Sequence, residues 1–572
     1  MNKVSVAVPV YNVENYIYDM LKSVQNQTFK DFEVVIIDDG STDSSGQIAK
    51  EFCASDVRFK YFRQENGGVA SARNKAIDLA SGEYIVFYDP DDYIPPHALE
   101  KMYKAATSGA ADMVVGVMEE KNLGESLIYM HSQKLAKQKN ISPADPHFIG
   151  AWSLCHKMFS MRLIREHDLR FEQLYNAEDG VFTYRVLNCA EVISGCDTIA
   201  YNYIKRPFWL TPSATQIISR RYLKSLLASH DRIREEAEKL IQKYLTEEEQ
   251  ADYLGKLYYR FIEGEMINGY YRGIWRGEED LSEILNQRTK LYRSYLSDKQ
   301  WSSLLAGHRD LNLESGFMSP EEMDREPVVS VILTPDYTAE EVDMMLGSVY
   351  NQAFPRFEIL LPASFDGAVG QAYRNKVNLK IIEGDIVAEF LNRAVKQARG
   401  QYIIIFDEFA MFTKNSLRLM VSKLSSRAGL GFVSMVMKNF DGSSYKPIPV
   451  ISAAFGYTKR GRRKYGKIAS CDNIFSNKLF RKSSLEGFRF SGRGPRDVDT
   501  LYRTLSFERL RKGAMITDMA DEDFLARVET SPPAILVKCC HSQNSRADRL
   551  IQRLKRHITR EDIENLKSKI GK

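Results

Sequence analysis

Short apolar runs alternate with segments of helical periodicity at the start of the chain. VSVAV at residues 4–8 and EVVII at 33–37 are β-branched runs of strand length. Between them, NYIYDMLKSVQNQ repeats its apolar residues at helical intervals. A strand, a helix and a second strand in this order predict a right-handed parallel unit. We therefore expect an α/β domain with a mostly parallel sheet.

Acidic loops follow two of the predicted strands. EVVII leads into DDGSTD at residues 38–43, and a later apolar run leads into DPDD at 89–92. Both loops would lie at the carboxyl ends of parallel strands, where open α/β sheets bind ligands. Converging carboxylates repel one another unless a cation or a set of donors compensates them, and hard oxygen ligands favour Mg²⁺ or Mn²⁺. We expect a divalent metal that binds phosphates here, although DPDD alone is also a common turn sequence.

Length and composition narrow the class of protein. A chain of 572 residues, 44% hydrophobic and 27% charged, is globular and long enough for several domains. Its net charge of +4 indicates no particular partner, and its seven cysteines, which lack paired spacing, are expected to be reduced thiols. No apolar window approaches the roughly 20 residues of a membrane span, and no signal-peptide pattern is present. We expect a cytoplasmic protein that is able to lie on the inner face of the cell membrane.

Four ordered motifs lie within residues 1–215, namely VSVAVPVYNVENYI, QTFKDFEVVIIDDGSTDSS, ENGGVASARNKAIDLASGEYIVFYDPDD and NAEDGVFTYRVL. They resemble those of the bacterial family 2 glycosyltransferases, which are inverting enzymes with the GT-A fold. The resemblance implies transfer of a hexosyl or N-acetylhexosaminyl group from a nucleotide sugar to a cell-surface polysaccharide or a lipid-linked glycan. It implies a UDP-sugar first, with dTDP- and GDP-sugars left open, and Mn²⁺ or Mg²⁺ as the cofactor.

The resemblance assigns the chemistry to three carboxylates. Asp91 and Asp92 match the metal and ribose acids, and Asp179 matches the base that takes the proton from the attacking sugar hydroxyl. An inverting transfer needs this base on the face opposite the leaving nucleoside diphosphate. The EDG sequence around Asp179 is also an ordinary helix start, because acids are favoured at the positive end of a helix. The two interpretations are compatible, since the helix would aim the base.

Further residues are expected to contact the two substrates, the donor residues by resemblance and the acceptor residues from their chemistry near Asp179. Donor contacts are implied for Pro9, Tyr11, Asn12, Asp39, Arg73 and Asp91, with Asp39 accepting from the nucleobase. Weaker candidates for the acceptor side are Trp152, His156, Lys157 and Glu178. An aromatic ring can cover a sugar face and a lysine can meet an anionic group. Turn-forming or supporting positions are expected for Asp38, Asp43 and Asp89.

Residues 216–325 and 326–530 differ in their pattern of apolar residues. The first of these segments has helical periodicity with few strand signals, which predicts a helical spacer. The second repeats the first domain, since VVSVILTPDYT, SVYNQAFPRFEILL and GQYIIIFDEFAMF correspond to its three strand regions. The interval from Gly82 to Gly400 equals that from Asp179 to Asp497. A repeat of this length indicates a duplicated domain.

The second copy lacks most residues of the predicted site. Asp38 and Asp39 correspond to Ala363 and Ser364, Arg73 to Leu391, and Asp91 and Asp92 to Phe409 and Ala410. We therefore expect a degenerate GT-A-like domain that cannot bind a metal nucleotide, which argues against a bifunctional two-site polysaccharide polymerase. A non-catalytic carbohydrate-binding scaffold is the other alternative. It would require an inactive first site, whose motif acids are all present.

Basic segments lie towards the C-terminus. TKRGRRKYGK occupies residues 458–467, and residues 531–572 are predicted to form a basic amphipathic helical tail. Its apolar face would consist of Leu550, Ile551, Leu554 and Ile558. Such segments can attract an anionic polymer or the inner membrane leaflet, although most charge runs are solvated surface. We expect no nucleic-acid partner, because no binding motif accompanies the basic residues.

Overall fold

The structure is a computed structural model of the chain. The residues it describes are 2–122, 125–205, 220–273, 280–308, 313–335, 337–350, 352, 354–365, 369, 373, 376–384, 386–406, 410–412, 416–425, 432–435, 437–440, 445–447, 478–485, 489–490, 514–516 and 536–538.

The first sheet contains eight strands. They are β1 (Val4–Val10), β2 (Phe32–Asp38), β3 (Phe59–Arg63), β4 (Tyr84–Phe87), β5 (Met113–Asn122), β6 (Glu125–Ile128), β7 (Lys157–Ser160) and β8 (Ile193–Ile204). Their order is β3-β2-β1-β4-β7-β5-β6, with β8 beside β5. The first four strands pair in parallel, β7 is antiparallel to β4 and β5, and β8 is parallel to β5. The predicted mostly parallel α/β sheet is confirmed.

Helices cover both faces of this sheet. They are α1 (Ile17–Gln25), α2 (Ser45–Ser55), α3 (Val69–Leu79), α4 (Ala98–Ser108), α5 (Met130–Ala136), α6 (Met161–Glu166) and α7 (Glu178–Cys189), with a 3₁₀ turn at Pro146–Gly150. Val6 and Val8 of β1 pack into one apolar cluster with α1 and α4, whereas Ala7 packs into the other with α3 and α7. Strands that are buried on both faces read as continuous β-branched runs, which is why the sequence pattern predicted them well.

Helices follow the first sheet. They are α8 (Arg220–Tyr244), α9 (Glu247–Arg260), α10 (Asn268–Gly273), α11 (Ser282–Arg293), α12 (Asp298–Gly307) and α13 (Pro320–Arg325), with a π-helical turn at Phe261–Ile267 between α9 and α10. Capping boxes at Thr246, Ser297 and Ser319 begin α9, α12 and α13. Tyr253 of α9 shares a 2.9 Å hydrogen bond with Tyr184 of α7, so the helical segment supports the helix that carries the predicted base.

A second sheet repeats the strand order of the first. The strands of this region are β9 (Val329–Leu333), β10 (Phe357–Pro362), β11 (Leu379–Ile382), β12 (Tyr402–Phe406), β13 (Ala410–Met411), β14 (Phe432–Met435), β15 (Met437–Phe440), β16 (Tyr445–Pro447), β17 (Lys478–Arg481), β18 (Ala514–Ile516) and β19 (Leu536–Lys538). The helices are α14 (Ala339–Tyr350), α15 (Val387–Gln397) and α16 (Ser416–Ser425), with 3₁₀ turns at Ala363–Phe365 and Lys482–Ser484. The order β11-β10-β9-β12-β17-β14-β18 matches β3-β2-β1-β4-β7-β5-β8 strand for strand, including the antiparallel pairs of β17 and the parallel pair of β14 with β18. β13, β15, β16 and β19 form a separate small sheet.

Each of the two sheets contains a buried glutamate at the equivalent position. Ser5 donates to Glu33 Oε1 at 2.7 Å, and Ser330 donates to Glu358 Oε1 at the same distance. The glycine before each fourth strand is needed in both sheets. A Cβ on Gly82 would lie 2.6 Å from the backbone nitrogen of Ser5, and a Cβ on Gly400 would lie 2.6 Å from that of Ser330.

A paired asparagine contact is repeated as well. Asn74 donates to Phe171 O at 2.9 Å and accepts from its N–H at 2.8 Å. Asn392 makes the same two bonds with Phe490, at 3.0 and 2.9 Å. The second unit therefore keeps the buried polar contacts that hold the first together.

Several predictions fall outside the described residues. They concern Phe409, the basic segment 458–467, Asp497, and Leu550, Ile551, Leu554 and Ile558. Of the tail predicted over 531–572, only Leu536–Lys538 is described, and it forms β19 and not a helix, because it pairs with β13 and β15. Four cysteines of the described ranges, Cys53, Cys155, Cys189 and Cys196, are free thiols. No helix in these ranges has the length and apolar character that crossing a bilayer requires.

The buried Glu358 gives a stability prediction for the second unit. Burial alone would raise its pKa, but hydrogen bonds from Ser330 and Arg399 hold the pKa below the ordinary value of 4.5. We expect Glu358→Gln to lower the free energy of unfolding by roughly 1–3 kcal/mol, because the buried amide loses one of the two oxygens that accept from Ser330 and Arg399, while Arg399 keeps its ion pair with Asp324. Urea unfolding at neutral pH measures this loss, and Glu33→Gln is the matched variant in the first sheet.

The pH dependence of that loss identifies its source. A depressed carboxyl pKa stabilises the folded state above 4.5, and this contribution disappears as the pH falls through the folded-state pKa. The difference between wild type and Glu358→Gln should therefore narrow at about pH 4 and below. Glu383→Gln is the control, since Glu383 is 94% exposed. If the free energies of unfolding of wild type and Glu358→Gln differ equally at neutral pH and at about pH 4, the carboxylate charge is not the source of the loss.

Candidate active site

Three aspartates follow β4 at the carboxyl edge of the first sheet. Asp89 and Asp91 are partly exposed, whereas Asp92 is only 4% exposed. Asp92 Oδ1 accepts the Ile204 N–H at 2.6 Å, and its Oδ2 accepts the hydroxyl of Tyr201, which ties the acidic loop to β8. Burial, followed by the negative charges of Asp91 and Asp89, raises the pKa of Asp92 well above its ordinary value. The loop thus brings three carboxylates close together, and Asp91 and Asp89 disfavour the charged form of Asp92.

This charge distribution fits a divalent cation whose ligands come partly from a substrate. In the part of the chain that the structure describes, no three His, Cys, Asp or Glu side chains form a metal-binding group on their own. Mg²⁺ sites that use substrate phosphates need only one or two carboxylates from the protein. Burial and then the charges of Asp91 and Asp89 raise the pKa of Asp92, and a bound cation would offset the part that comes from these charges. Asp91 and Asp92 are the residues that would hold it.

The loop after β2 is closed by Asp39. Its Oδ1 accepts from Gln64 Nε2 at 2.7 Å and from the Gly67 N–H at 2.9 Å, and its Oδ2 accepts from the Gly68 N–H at 2.8 Å. Gly68 has a φ of 85° directly before α3, a conformation that favours glycine. The structure thus places Asp39 as the anchor of the α3 start. Its contact with a nucleobase stays a prediction.

The predicted first loop lies beside the loop after β2. Pro9 is buried within β1, and Tyr11 is 50% exposed. Asn12 is left-handed, with a φ of 49°, and its side-chain oxygen accepts the Thr42 N–H at 2.8 Å. The two loops are therefore held together at the strand ends, with the Tyr11 ring available to a ligand.

Arg73 lies between two acids of the site. It is buried on α3 and donates from Nη1 to Glu178 Oε1 at 2.5 Å and from Nη2 to Asp89 Oδ1 at 2.8 Å. The sequence predicted a nucleotide contact for Arg73 and an acceptor contact for Glu178. The structure brings the two side chains together in an ion pair between α3 and α7.

Asp179 occupies the first turn of α7. The N–H of Gly180 donates to its Oδ1 at 2.8 Å, and Ala177, just before the helix, is left-handed with a φ of 57°. A non-glycine residue rarely adopts this conformation, and such residues concentrate at functional sites. Burial raises the pKa of Asp179, and the positive charges of Arg73 and Lys157 oppose that rise. A carboxylate with a raised pKa is well suited to accept a proton near neutral pH.

The three other predicted acceptor residues are buried at the start of β7 and just before it. Lys157 is fully buried and donates to Ala151 O at 2.6 Å and to Ser153 O, and burial lowers its pKa to about 7. Burial and the neighbouring lysine lower the pKa of His156 well below its ordinary value. Trp152 is buried and packs against Phe261 of the π-helical turn, with ring centroids 5.9 Å apart. Contacts of these residues with an acceptor stay predictions.

Sequence reasoning did not find Tyr201 and Ala177. Tyr201 lies 109 positions after Asp92, on a strand that no acidic or glycine-rich motif marks. Ala177 carries no glycine or asparagine signal for its left-handed conformation. Only the structure reveals this position, through the positive φ of a residue that is not glycine.

Comparison with known proteins identifies the family. Residues 5–170 match the family model described as Glycosyl transferase family 2. EpsJ of Bacillus subtilis, an uncharacterized glycosyltransferase, is 30% identical over 234 residues, which are 38% of this chain and 67% of that protein. Glycosyltransferase GlyA of Streptococcus pneumoniae is 36% identical over 216 residues, 35% of this chain and 30% of GlyA. Poly(ribitol-phosphate) beta-glucosyltransferase of Bacillus spizizenii is 32% identical over 209 residues, 35% of this chain and 32% of that protein.

The family match, residues 5–170, includes the acidic loops after β2 and β4. The chain belongs to glycosyltransferase family 2. It covers less than a third of the length of GlyA and of the B. spizizenii relative.

Proposed function

We propose that the protein is a metal-dependent inverting glycosyltransferase that moves a sugar from a nucleotide sugar to a cell-surface polysaccharide or a lipid-linked glycan. The observation that carries the proposal is the pairing of two acidic groups at one edge of the first sheet. The DPDD loop suits the donor phosphates, and Asp179 at the start of α7 suits a base. Arg73 joins the two groups through Asp89 and Glu178.

In this proposal Asp179 takes the proton of the attacking hydroxyl. The acceptor oxygen then forms a bond to the anomeric carbon as the bond to the nucleoside diphosphate oxygen breaks, and the configuration inverts. The Gly180 N–H and the first turn of α7 orient the carboxylate and favour its charge before the reaction. The leaving diphosphate takes the electron pair of the broken bond.

Asp91 and Asp92 are assigned to a Mn²⁺ or Mg²⁺ ion, with donor phosphates completing its ligands. The ion would stabilise the charge that develops on the leaving diphosphate. The hydrogen bonds of Asp92 to Tyr201 and Ile204 fix its carboxylate, so this side chain does not have to be ordered when the donor binds.

The substrate classes are proposed from the family and from the names of the relatives. The B. spizizenii relative is named as a poly(ribitol-phosphate) beta-glucosyltransferase. We assign a UDP-sugar as donor and, as acceptor, a lipid-linked glycan or a cell-surface polysaccharide that includes polyol-phosphate polymers. The choice between a hexosyl and an N-acetylhexosaminyl group depends on the shape of the donor pocket.

The test is a panel of UDP-, dTDP- and GDP-sugars assayed for nucleoside diphosphate release by the full chain. Each donor is assayed with Mn²⁺, with Mg²⁺ and with EDTA, in the presence and absence of polyol-phosphate and neutral glycan acceptors. We expect one donor class to be used, and release to stop in EDTA. A chain that binds glycans but releases no diphosphate from any donor would support the non-catalytic scaffold instead.

We propose that the second unit is not catalytic. Its sheet repeats the first, but Ala363 and Ser364 stand where Asp38 ends β2 and Asp39 follows it, and Leu391 is buried where Arg73 lies. None of these side chains carries the charge of the aspartate or arginine that it replaces. The full chain carrying Asp91→Asn and Asp179→Asn should therefore have no transfer activity above background. Donor-dependent transfer by this double variant would indicate a second active site and favour the two-site polymerase.

A further inference from the structure

Arg73 is held from both sides by carboxylates. Its two terminal nitrogens donate to Glu178 and Asp89 at 2.5 and 2.8 Å, and its side chain is 5% exposed. The planar guanidinium fits this arrangement because its donors point in fixed directions. Both terminal nitrogens thus already donate to acids of the protein.

The two acids belong to the two halves of the proposed chemistry. Asp89 begins the loop that carries Asp91 and Asp92, and Glu178 directly precedes Asp179. The left-handed Ala177 before Glu178 is unfavourable for a residue with a side chain, so surrounding contacts must hold it. The ion pair of Arg73 with Glu178 is such a contact, and it fixes the point at which α7 begins.

Packing makes this connection rigid. The Arg73 guanidinium carbon lies 5.5 Å from the ring centroid of Phe171, and that ring stacks on Phe182 of α7 at 4.1 Å. The adjacent Asn74 exchanges two hydrogen bonds with the Phe171 backbone. α3 and α7 are therefore joined directly by the ion pair, and indirectly through Phe171, which is hydrogen-bonded to Asn74 of α3 and stacked on Phe182 of α7.

We propose that Arg73 is a positioning residue and not a donor contact: it fixes Asp179 relative to the metal-binding loop and stabilises the Asp179 carboxylate by its charge. The inference rests on the proposed function and replaces the nucleotide role that the motif suggested for Arg73. It assigns Glu178 to the same role, as the link between the guanidinium and the helix start.

Four charged groups face Asp179 from the elements around it. Arg73 on α3 and Lys157 on β7 are positive, whereas Asp89 after β4 and Glu178 on α7 are negative. Burial raises the pKa of Asp179, and Arg73 is the strongest influence that opposes it. Loss of the Arg73 charge should raise this pKa further, and loss of the Glu178 charge should lower it. The two substitutions therefore shift the acid side of the pH profile in opposite directions.

The experiment compares full-length Arg73→Met, Arg73→Lys and Glu178→Gln with wild type, using the donor that the panel selects. We expect Arg73→Met to lower kcat at pH 7 by about 100-fold and to move the acid limb of the kcat profile up by about one pH unit. Glu178→Gln should move that limb down, and Arg73→Lys should recover part of kcat because it keeps the charge. The dissociation constant of UDP with Mn²⁺, measured by calorimetry, should stay nearly unchanged in all three.

A donor contact predicts the opposite pattern. A rise of about tenfold or more in the UDP dissociation constant of Arg73→Met, with an unmoved acid limb, would overturn the inference. If the acid limb moves in the same direction in Arg73→Met and Glu178→Gln, the inference is wrong as well. A general disturbance of the site would not depend on the sign of the charge removed. If Arg73→Met does not fold, Glu178→Gln and Arg73→Lys test the inference. An unchanged acid limb of the kcat profile in Glu178→Gln would contradict it. Failure of the proposed function is distinguishable, because wild type itself would then be inactive with every donor.

Discussion

Asp179→Asn is expected to lower turnover by roughly two to four orders of magnitude, the usual effect of removing a positioned base. The substitution keeps the volume of the side chain and its place in the first turn of α7, but the amide cannot accept a proton. Donor affinity should be nearly unchanged, because Asp179 faces the attacking group in the proposed mechanism. Initial rates under saturating donor and calorimetric binding of UDP with Mn²⁺ separate the two effects.

The pH profile adds an independent check on Asp179. Because burial raises its pKa, the base becomes protonated, and kcat falls, at a higher pH than for an ordinary aspartate. The residual activity of Asp179→Asn should lack this acid limb. Asp197→Asn is the control, since Asp197 is an exposed aspartate on β8 of the same unit. A loss confined to donor affinity would show that Asp179 contacts the donor and is not the base.

The sheet could be predicted because its strands carry their own signal. VSVAV and EVVII correspond to Val4–Val10 and Phe32–Asp38, and both observed strands are fully buried. A strand that is covered on both faces needs a continuous apolar run, which local sequence shows directly. The shared position of the acidic loops could also be predicted. The loops come at the ends of β2 and β4, and parallel strands bring their carboxyl ends to one edge of the sheet.

The partners within the site could not be predicted, because they depend on contacts between distant segments. Arg73 and Glu178 are 105 positions apart, and a basic residue in a donor motif reads as a phosphate ligand until its buried partners are known. Trp152 is similar, because an aromatic residue near a base suits either a sugar face or an apolar core. The packing of Trp152 against Phe261 arises only when the helical segment folds over α7.

The second large effect concerns Asp91 and Asp92. We expect Asp91→Asn to reduce transfer by about 100-fold or more, because the cation that neutralises the leaving diphosphate would lose a charged ligand. Asp91 is partly exposed at the edge of the site, so its replacement should leave the melting temperature unchanged. Asp92→Asn should lose as much activity and also lower the melting temperature, since Asp92 is buried and binds Tyr201 and Ile204.

Metal titration distinguishes a ligand from a structural acid. In Asp91→Asn the Mn²⁺ concentration for half-maximal rate should rise, and excess Mn²⁺ should restore part of the activity, whereas EDTA should abolish transfer by wild type. Asp78→Asn is the matched control, because Asp78 is exposed on α3 and pairs with Arg170 outside the site. Wild-type rates for Asp91→Asn and Asp92→Asn in EDTA would refute metal dependence. An Asp92→Asn variant that loses stability but keeps its Mn²⁺ response would instead leave Asp91 as the metal ligand and Asp92 as the residue that fixes the loop against β8.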